Sequence, residues 1–180
     1  FGVTTLGVIS LVPLYVINRY GMSALNSGTL LVAEGIASIS LSVIITMLLR
    51  RTGYRLPLYI GCSIIIVGVA LLSLTPLAGI TPYIWLAGAS FLIGVGIGLN
   101  SPPARNAGLQ LAPEDSATIA ALRTLCLQLG QIFIIAIATA AIADSSQTDN
   151  IQAHVYLLAA LFFVLCLPLF SRIPEHKGAW

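Results

Sequence analysis

Residues 27–55 read SGTLLVAEGIASISLSVIITMLLRRTGYR. From Ser27 to Leu49 the only charged side chain is Glu34, and the run then stops on Arg50, Arg51 and Arg55 around Gly53. A hydrocarbon core of about 30 Å takes about 20 apolar residues of helix, which is the size of this run. Cytoplasmic loops are where lysine and arginine collect. The stretch therefore reads as a transmembrane helix that leaves the bilayer at its cytoplasmic face through a short glycine turn.

The flanking sequence divides in the same way. Over the whole chain 58% of residues are hydrophobic and 8% charged, and the mean hydropathy is +1.00, whereas a soluble domain is about 25% charged. Turn-forming breaks leave apolar segments at 1–18, 27–49, 56–77, 83–100, 118–143 and 151–170,. The fold class is thus all-α, a polytopic membrane protein with a bundle of six transmembrane helices in a single domain. The fourth span is expected to end at Asn100, because Pro102-Pro103 opens the next break. Of the eight basic residues, Arg50, Arg51, Arg55, Arg105, Arg123, Arg172 and Lys177 fall at the even-numbered breaks or the tail, and Arg19 alone at an odd one. That split places both ends in the cytoplasm. Tyr15, Tyr20, Tyr83, Trp85 and Tyr156 would form the outer aromatic belt, with Tyr54 and Tyr59 in the inner one. The chain opens at Phe1 directly on an apolar run and reads as a piece of something longer.

A formal charge of +2 and the lack of a basic stripe exclude nucleic acid as a partner; composition points to the lipid bilayer. Cys62, Cys126 and Cys166 lie inside apolar runs at unrelated spacings, which builds neither a disulfide framework nor a zinc site. No cofactor motif is present. Gly94-x-Gly96-x-Gly98 lies within a span rather than between a strand and a helix, so helix packing outweighs nucleotide binding.

Polar residues inside the spans are the informative ones. Ser27, Glu34, Ser38, Ser42 and Thr46 repeat at seven, four, four and four, drawing one stripe down the second span. Thr124, Gln128 and Gln131 do the same on the fifth, and Ser90, Gly94 and Gly98 align on the fourth so that a neighbouring backbone can come close. Spans two, four and five are therefore expected to be interior or interface helices, and the nearly all-apolar third and sixth to lie at the periphery. For Gln128 and Gln131, interhelical hydrogen bonding and pore lining fit equally. Glu34 is the one acid deep in an apolar segment, where an ionisable group costs on the order of 3 kcal/mol on insertion scales. A titrating or cation-contacting role and a protonated structural role both suit it. Arg105 and Arg123, near the inner boundary, read as snorkelling anchors more readily than as substrate contacts. An intramembrane enzyme is the competing class, with Ser90 and His154 as nucleophile and base, but Phe91 stands where a short serine motif needs glycine; the chain does not read as an enzyme.

Three stretches carry a resemblance to the major facilitator superfamily, and more closely to the carboxyl-terminal six helices of its 14-spanning multidrug:proton antiporter branch. Leu11-Val12-Pro13-Leu14-Tyr15 through Gly21 to Gly28 is similar to the entry of that half's first helix pair. Arg51-Thr52-Gly53-Tyr54-Arg55 resembles the cytoplasmic loop motif, with Arg50 departing from its aspartate. Gly94-Val95-Gly96-Ile97-Gly98-Leu99, followed by Pro102-Pro103 and Pro113-Glu114, resembles the end of the corresponding fourth helix. The resemblance implies a 3+3 inverted repeat, with spans one and four lining a cavity, two and five facing the other half, and three and six facing lipid. It implies half of a proton-coupled secondary transporter, an exporter of drugs or other small amphipathic molecules in a bacterial plasma membrane. Its partners would be the missing amino-terminal half, a small-molecule substrate and protons. Glu34 would then couple protons or meet substrate, Ser38, Asn100, Gln128 and Gln131 would be polar contacts, and Arg51, Gly53 and Arg55 would form the loop motif. A transporter-derived scaffold that moves nothing is the remaining alternative.

Overall fold

The computed structural model describes residues 2–111, 113–143 and 148–172. These form six α-helices, α1 Gly2–Tyr20, α2 Ala24–Thr52, α3 Arg55–Ser73, α4 Pro82–Leu111, α5 Ser116–Ala143 and α6 Thr148–Cys166, with 3-10 turns at Pro113–Asp115 and Leu167–Arg172 and, among the described residues, no strand. Ala24–Leu49, Arg55–Ser73, Pro82–Ala107 and Pro113–Ala140 are long and apolar enough to cross a membrane, and Ala153–Cys166 is a shorter apolar helix. Most of the fifth break, 144–147, and the tail with Lys177 lie outside the described residues.

Local chemistry sets the helix ends. Gly21 follows α1 with φ 61° and Gly53 follows α2 with φ 71°, its N–H donating to the Leu49 carbonyl at 3.0 Å; a side chain is rarely accommodated at such φ. Ser23 caps the start of α2, its Oγ accepting from Asn26 N–H. The end of α3 is closed by other helices. Its last carbonyls have no partner within the helix, and Leu72 O accepts from Tyr15 Oη at 2.8 Å while Leu71 O accepts from Trp85 Nε1 at 3.0 Å.

α4 differs from the reading that ends it at Asn100. It continues unbroken through Pro102 and Pro103 to Leu111. Prolines there remove the N–H groups that would serve the carbonyls of Gly98 and Leu99. The Gly98 carbonyl instead receives Ser42 Oγ of α2 at 3.4 Å, the kind of side-chain rescue that lets proline persist inside membrane helices.

α4 packs on both α2 and α3, α1 packs on α5 and α6, and α3 meets α6. Exchanging the first three helices for the last three reproduces that pattern, as a 3+3 repeat requires. The glycine run explains how α4 serves two neighbours. At 100° per residue Gly94 and Gly98 share a face and Gly96 points away from it. A Cβ on Gly94 would strike the Glu34 carbonyl of α2, and one on Gly98 would come within 2.6 Å of the Ser38 carbonyl; on Gly96 it would come within 2.6 Å of the Gly61 carbonyl of α3.

This packing refines the placement of the third helix, which has one face in the core and one outside. α3 buries Pro57, Leu58, Gly61, Cys62, Ile65, Gly68, Val69 and Leu72 on one side, where Gly61 and Gly68 let it close on α4, and exposes Leu56, Ile60 and Val67 on the other. A uniformly apolar helix is equally suited to protein and to lipid, so polarity alone does not show how much of it is buried. α6 is two-sided, with Tyr156 and Phe163 fully buried but Leu158 and Leu165 exposed. α2 and α5 are the outer helices of this chain; Ala138 is the one buried residue of α5 among those described. The aromatic belt is corrected too, since Tyr15 and Tyr156 are 0% exposed and meet edge to face at 5.0 Å inside the core.

The core lies toward one end of the bundle. It is built from Val8 to Val16 of α1, Leu30, Ile65 to Leu72, Leu86 to Ile93, Ala138 and Tyr156 to Phe163. At the other end the helices stand apart.

Candidate functional site

The space between them is a partly open cavity of about 700 Å³. Five helices line it: α1 near Thr5, α2 along Ser38, Ser42 and Thr46, α3 at Cys62, α4 from Ile97 to Asn106, and α5 at Arg123 and Leu127. That volume lies within the range of pockets for drug-sized ligands, about 300–1,000 Å³. Its walls are mostly apolar with hydroxyls set at intervals, and two arginines, Arg105 and Arg123, stand on them. Among the described residues no acidic side chain lines it.

Of the sequence candidates, Ser38 and Asn100 are in this cavity. Asn100 is 9% exposed and donates Nδ2–H to Cys62 Sγ at 3.3 Å, while its Oδ1 faces Gly61 without a hydrogen-bond partner. Gln131 bridges α5 to α1, Nε2 donating to Ser10 Oγ at 2.7 Å. Gln128 is exposed and lines neither the cavity nor the crevice described next. Glu34 is half-buried and stands apart from the cavity. It borders a narrow crevice with Ile9, Val12, Leu31, Ile93 and Ser90, which has no room for a water molecule. Ser90 is the other polar group there; it is buried and its Oγ has no hydrogen-bond partner. Ser38 lies one helical turn from Glu34, about 6 Å along the axis, so a single stripe on α2 serves two compartments, one dry and one open.

Ser90 therefore belongs with Glu34 rather than with a hydrolytic base; His154 is exposed on α6. The loop motif is ordered around Gly53. Arg51 is exposed and Arg55 half-buried. Tyr54 between them is buried, which pushes its phenol above the ordinary tyrosine range and keeps it neutral.

Arg105 and Arg123, which the sequence reading weighs first as snorkelling anchors and second as substrate contacts, both line the cavity. What the sequence reading does not place is the cavity they share: Arg105 is exposed and Arg123 half-buried on its lining, a position that snorkelling also allows,. A signal existed. Ile97, Ser101 and Arg105 share a face at intervals of four, but only if the helix is carried through Pro102-Pro103.

Comparison with known proteins agrees with this architecture. The family model of the Major Facilitator Superfamily matches residues 1–135. The chain is similar to quinolone resistance protein NorB of Staphylococcus aureus strain bovine RF122 / ET3-1, 27% identical over 174 residues, which is 92% of this chain and 38% of that protein. NorB of strain COL is also 27% identical, over 176 residues, 95% of this chain and 38% of the relative. The chain thus spans 38% of the length of these relatives. The apolar helices, their paired packing and the family match lead to one conclusion: this is an integral membrane protein, and the chain belongs to the Major Facilitator Superfamily.

Proposed function

We propose that the chain is the carboxyl-terminal half of a proton-coupled drug exporter of a bacterial plasma membrane, working by rocking against an amino-terminal half. The observation that carries this reading is the cavity, drug-sized, open toward one end and lined by five of six helices, beside an acid held in a dry crevice one turn away. Similarity to a quinolone resistance protein supports a small amphipathic substrate. The six helices cross the bilayer as six spans with both ends cytoplasmic, so the cavity faces the cytoplasm. Glu34 is the proton-coupling group: the crevice where α2 crosses α4 is dry in this conformation, and a rocking motion that parts these helices wets it.

Two experiments on the complete reading frame test this. Glu34→Gln keeps shape and hydrogen-bonding capacity but cannot titrate; export driven by a pH gradient should be abolished while exchange down a substrate gradient is partly retained, and Glu34→Asp should keep some activity. Unchanged pH-gradient dependence in Glu34→Gln would move the coupling site out of this half. For topology, single cysteines at Thr52 and at Gln147, the latter outside the described residues, should react with an impermeant thiol reagent from inside and outside respectively. Reaction from the same side disproves the six-span arrangement.

A further inference from the structure

We propose that Arg105 and Arg123 form an anion subsite on the cavity wall that receives the carboxylate of an amphipathic substrate. The inference rests on the exporter reading and narrows it to a class of compound. Both guanidinium groups line the cavity, and among the described residues neither has an acid or a hydrogen-bond acceptor to itself. They stand on the wall of one cavity, on neighbouring helices. Two cations lining one mostly apolar space, with no acid among its described lining residues, favour an anion, and guanidinium groups suit carboxylates because two parallel N–H bonds can be made at once.

The surroundings favour a ligand with a body as well as a charge. Ile97, Leu127 and Phe170 offer apolar surface, and Ser38, Ser42 and Thr5 offer neutral hydrogen-bonding groups on the other walls. With no acid in the lining, a purely cationic compound meets only repulsion there, which is stronger in a low-dielectric cavity than in water. Arg105 comes from α4 and Arg123 from α5, so a bound carboxylate also ties together two helices that otherwise touch little. Phosphate of a lipid headgroup shares this chemistry and is the other source of an anion at this depth.

The test uses the complete protein in nanodiscs of phosphatidylcholine, with a fluoroquinolone carboxylic acid and its methyl ester as probes and Kd read by titration calorimetry; flux in proteoliposomes is measured in parallel. The acid should bind about tenfold more tightly than the ester, a difference of about 1.4 kcal/mol. Arg123→Gln and Arg105→Gln should each erase most of that preference, and Arg123→Lys should keep part of it. Thermal unfolding of each variant shows whether it is folded; where one Gln variant is not, the other and Arg123→Lys decide. Equal binding of acid and ester by the parent protein, or weakening of both alike in the variants, overturns the subsite. So does loss of the acid's preference when phosphatidylglycerol is added to the discs, because the pair then holds headgroups. Preference without flux sinks the exporter reading and leaves the subsite standing; flux without preference does the reverse.

Discussion

The two ends of the bundle are built on opposite principles. At the end where α1 finishes, polar groups are matched to one another. Arg19 Nη1 donates to Tyr15 Oη at 2.6 Å, Tyr15 Oη donates onward to Leu72 O, and the guanidinium lies 5.5 Å and 5.7 Å from the Tyr15 and Tyr20 ring centres. Around them the apolar core is continuous. At the other end the polar groups line space, and among the described residues no acid lines it beside its two arginines. In a low-dielectric setting matched networks hold helices together and unmatched ones invite a ligand. The exporter proposed above would need one end shut while the other is open, and this asymmetry is compatible with that proposal.

The junction between the ends is where the comparison breaks most easily. α2 and α4 meet backbone to backbone at Gly94 and Gly98, between the core and the cavity. Gly94→Val puts a branched side chain where the Glu34 carbonyl already sits, and over-packing of this kind costs about 1–3 kcal/mol. The complete protein should lose that stability in thermal unfolding and most of its transport. Gly88→Ala, on the same helix with nothing near its added Cβ, should leave both unchanged. Similar behaviour of the two would mean that close approach at this crossing is not what holds the junction.

Tyr15→Phe sharpens the contrast from the shut end. It removes one hydroxyl, takes the acceptor from Arg19 and leaves the Leu72 carbonyl without its donor, and about 1–3 kcal/mol is the usual cost of a buried polar group left without a partner. Beyond lower thermal stability, the shut end should open more often. A cysteine at Ser73 should label faster from the outside, and one at Thr46 in the cavity should label more slowly. If both rates stay at parent values, the tyrosine is a packing residue and not a latch.

The sequence carried the helices and one of their interfaces but little of the cavity. Apolar runs between turn signals coincide with the helices because bilayer thickness and backbone hydrogen bonding leave few alternatives. The α2 stripe and the α4 glycine row were legible, and they meet each other. Hidden were features that depend on three-dimensional partners. Gly61 and Gly68 bury α3 although it has no polar stripe; Tyr15 and Tyr156 leave the interface because each fits the core and Tyr15 has an acceptor on α3; Arg123 turns inward because α4 runs on past its prolines to make the opposite wall.

Those prolines support the smallest prediction. The Gly98 carbonyl loses its ordinary donor because residue 102 is proline, and Ser42 Oγ stands 3.4 Å away as its replacement. Interhelical hydrogen bonds of this type average about 0.6 kcal/mol in membrane proteins, so Ser42→Ala should cost about that much in thermal or denaturant unfolding of the complete protein. Pro102→Ala changes the context. It returns an N–H to the helix ladder, which can then serve the Gly98 carbonyl from within α4. Ser42→Ala made in the Pro102→Ala background should therefore be nearly silent, and the double-mutant cycle should show a coupling of about 0.6 kcal/mol. A cost of Ser42→Ala that is the same in both backgrounds would show that the serine acts through the cavity or through packing. A cost that vanishes would show that the polar stripe of α2 is there partly to repair the backbone of α4, so that the helix forming the cavity wall can pass through two prolines without ending.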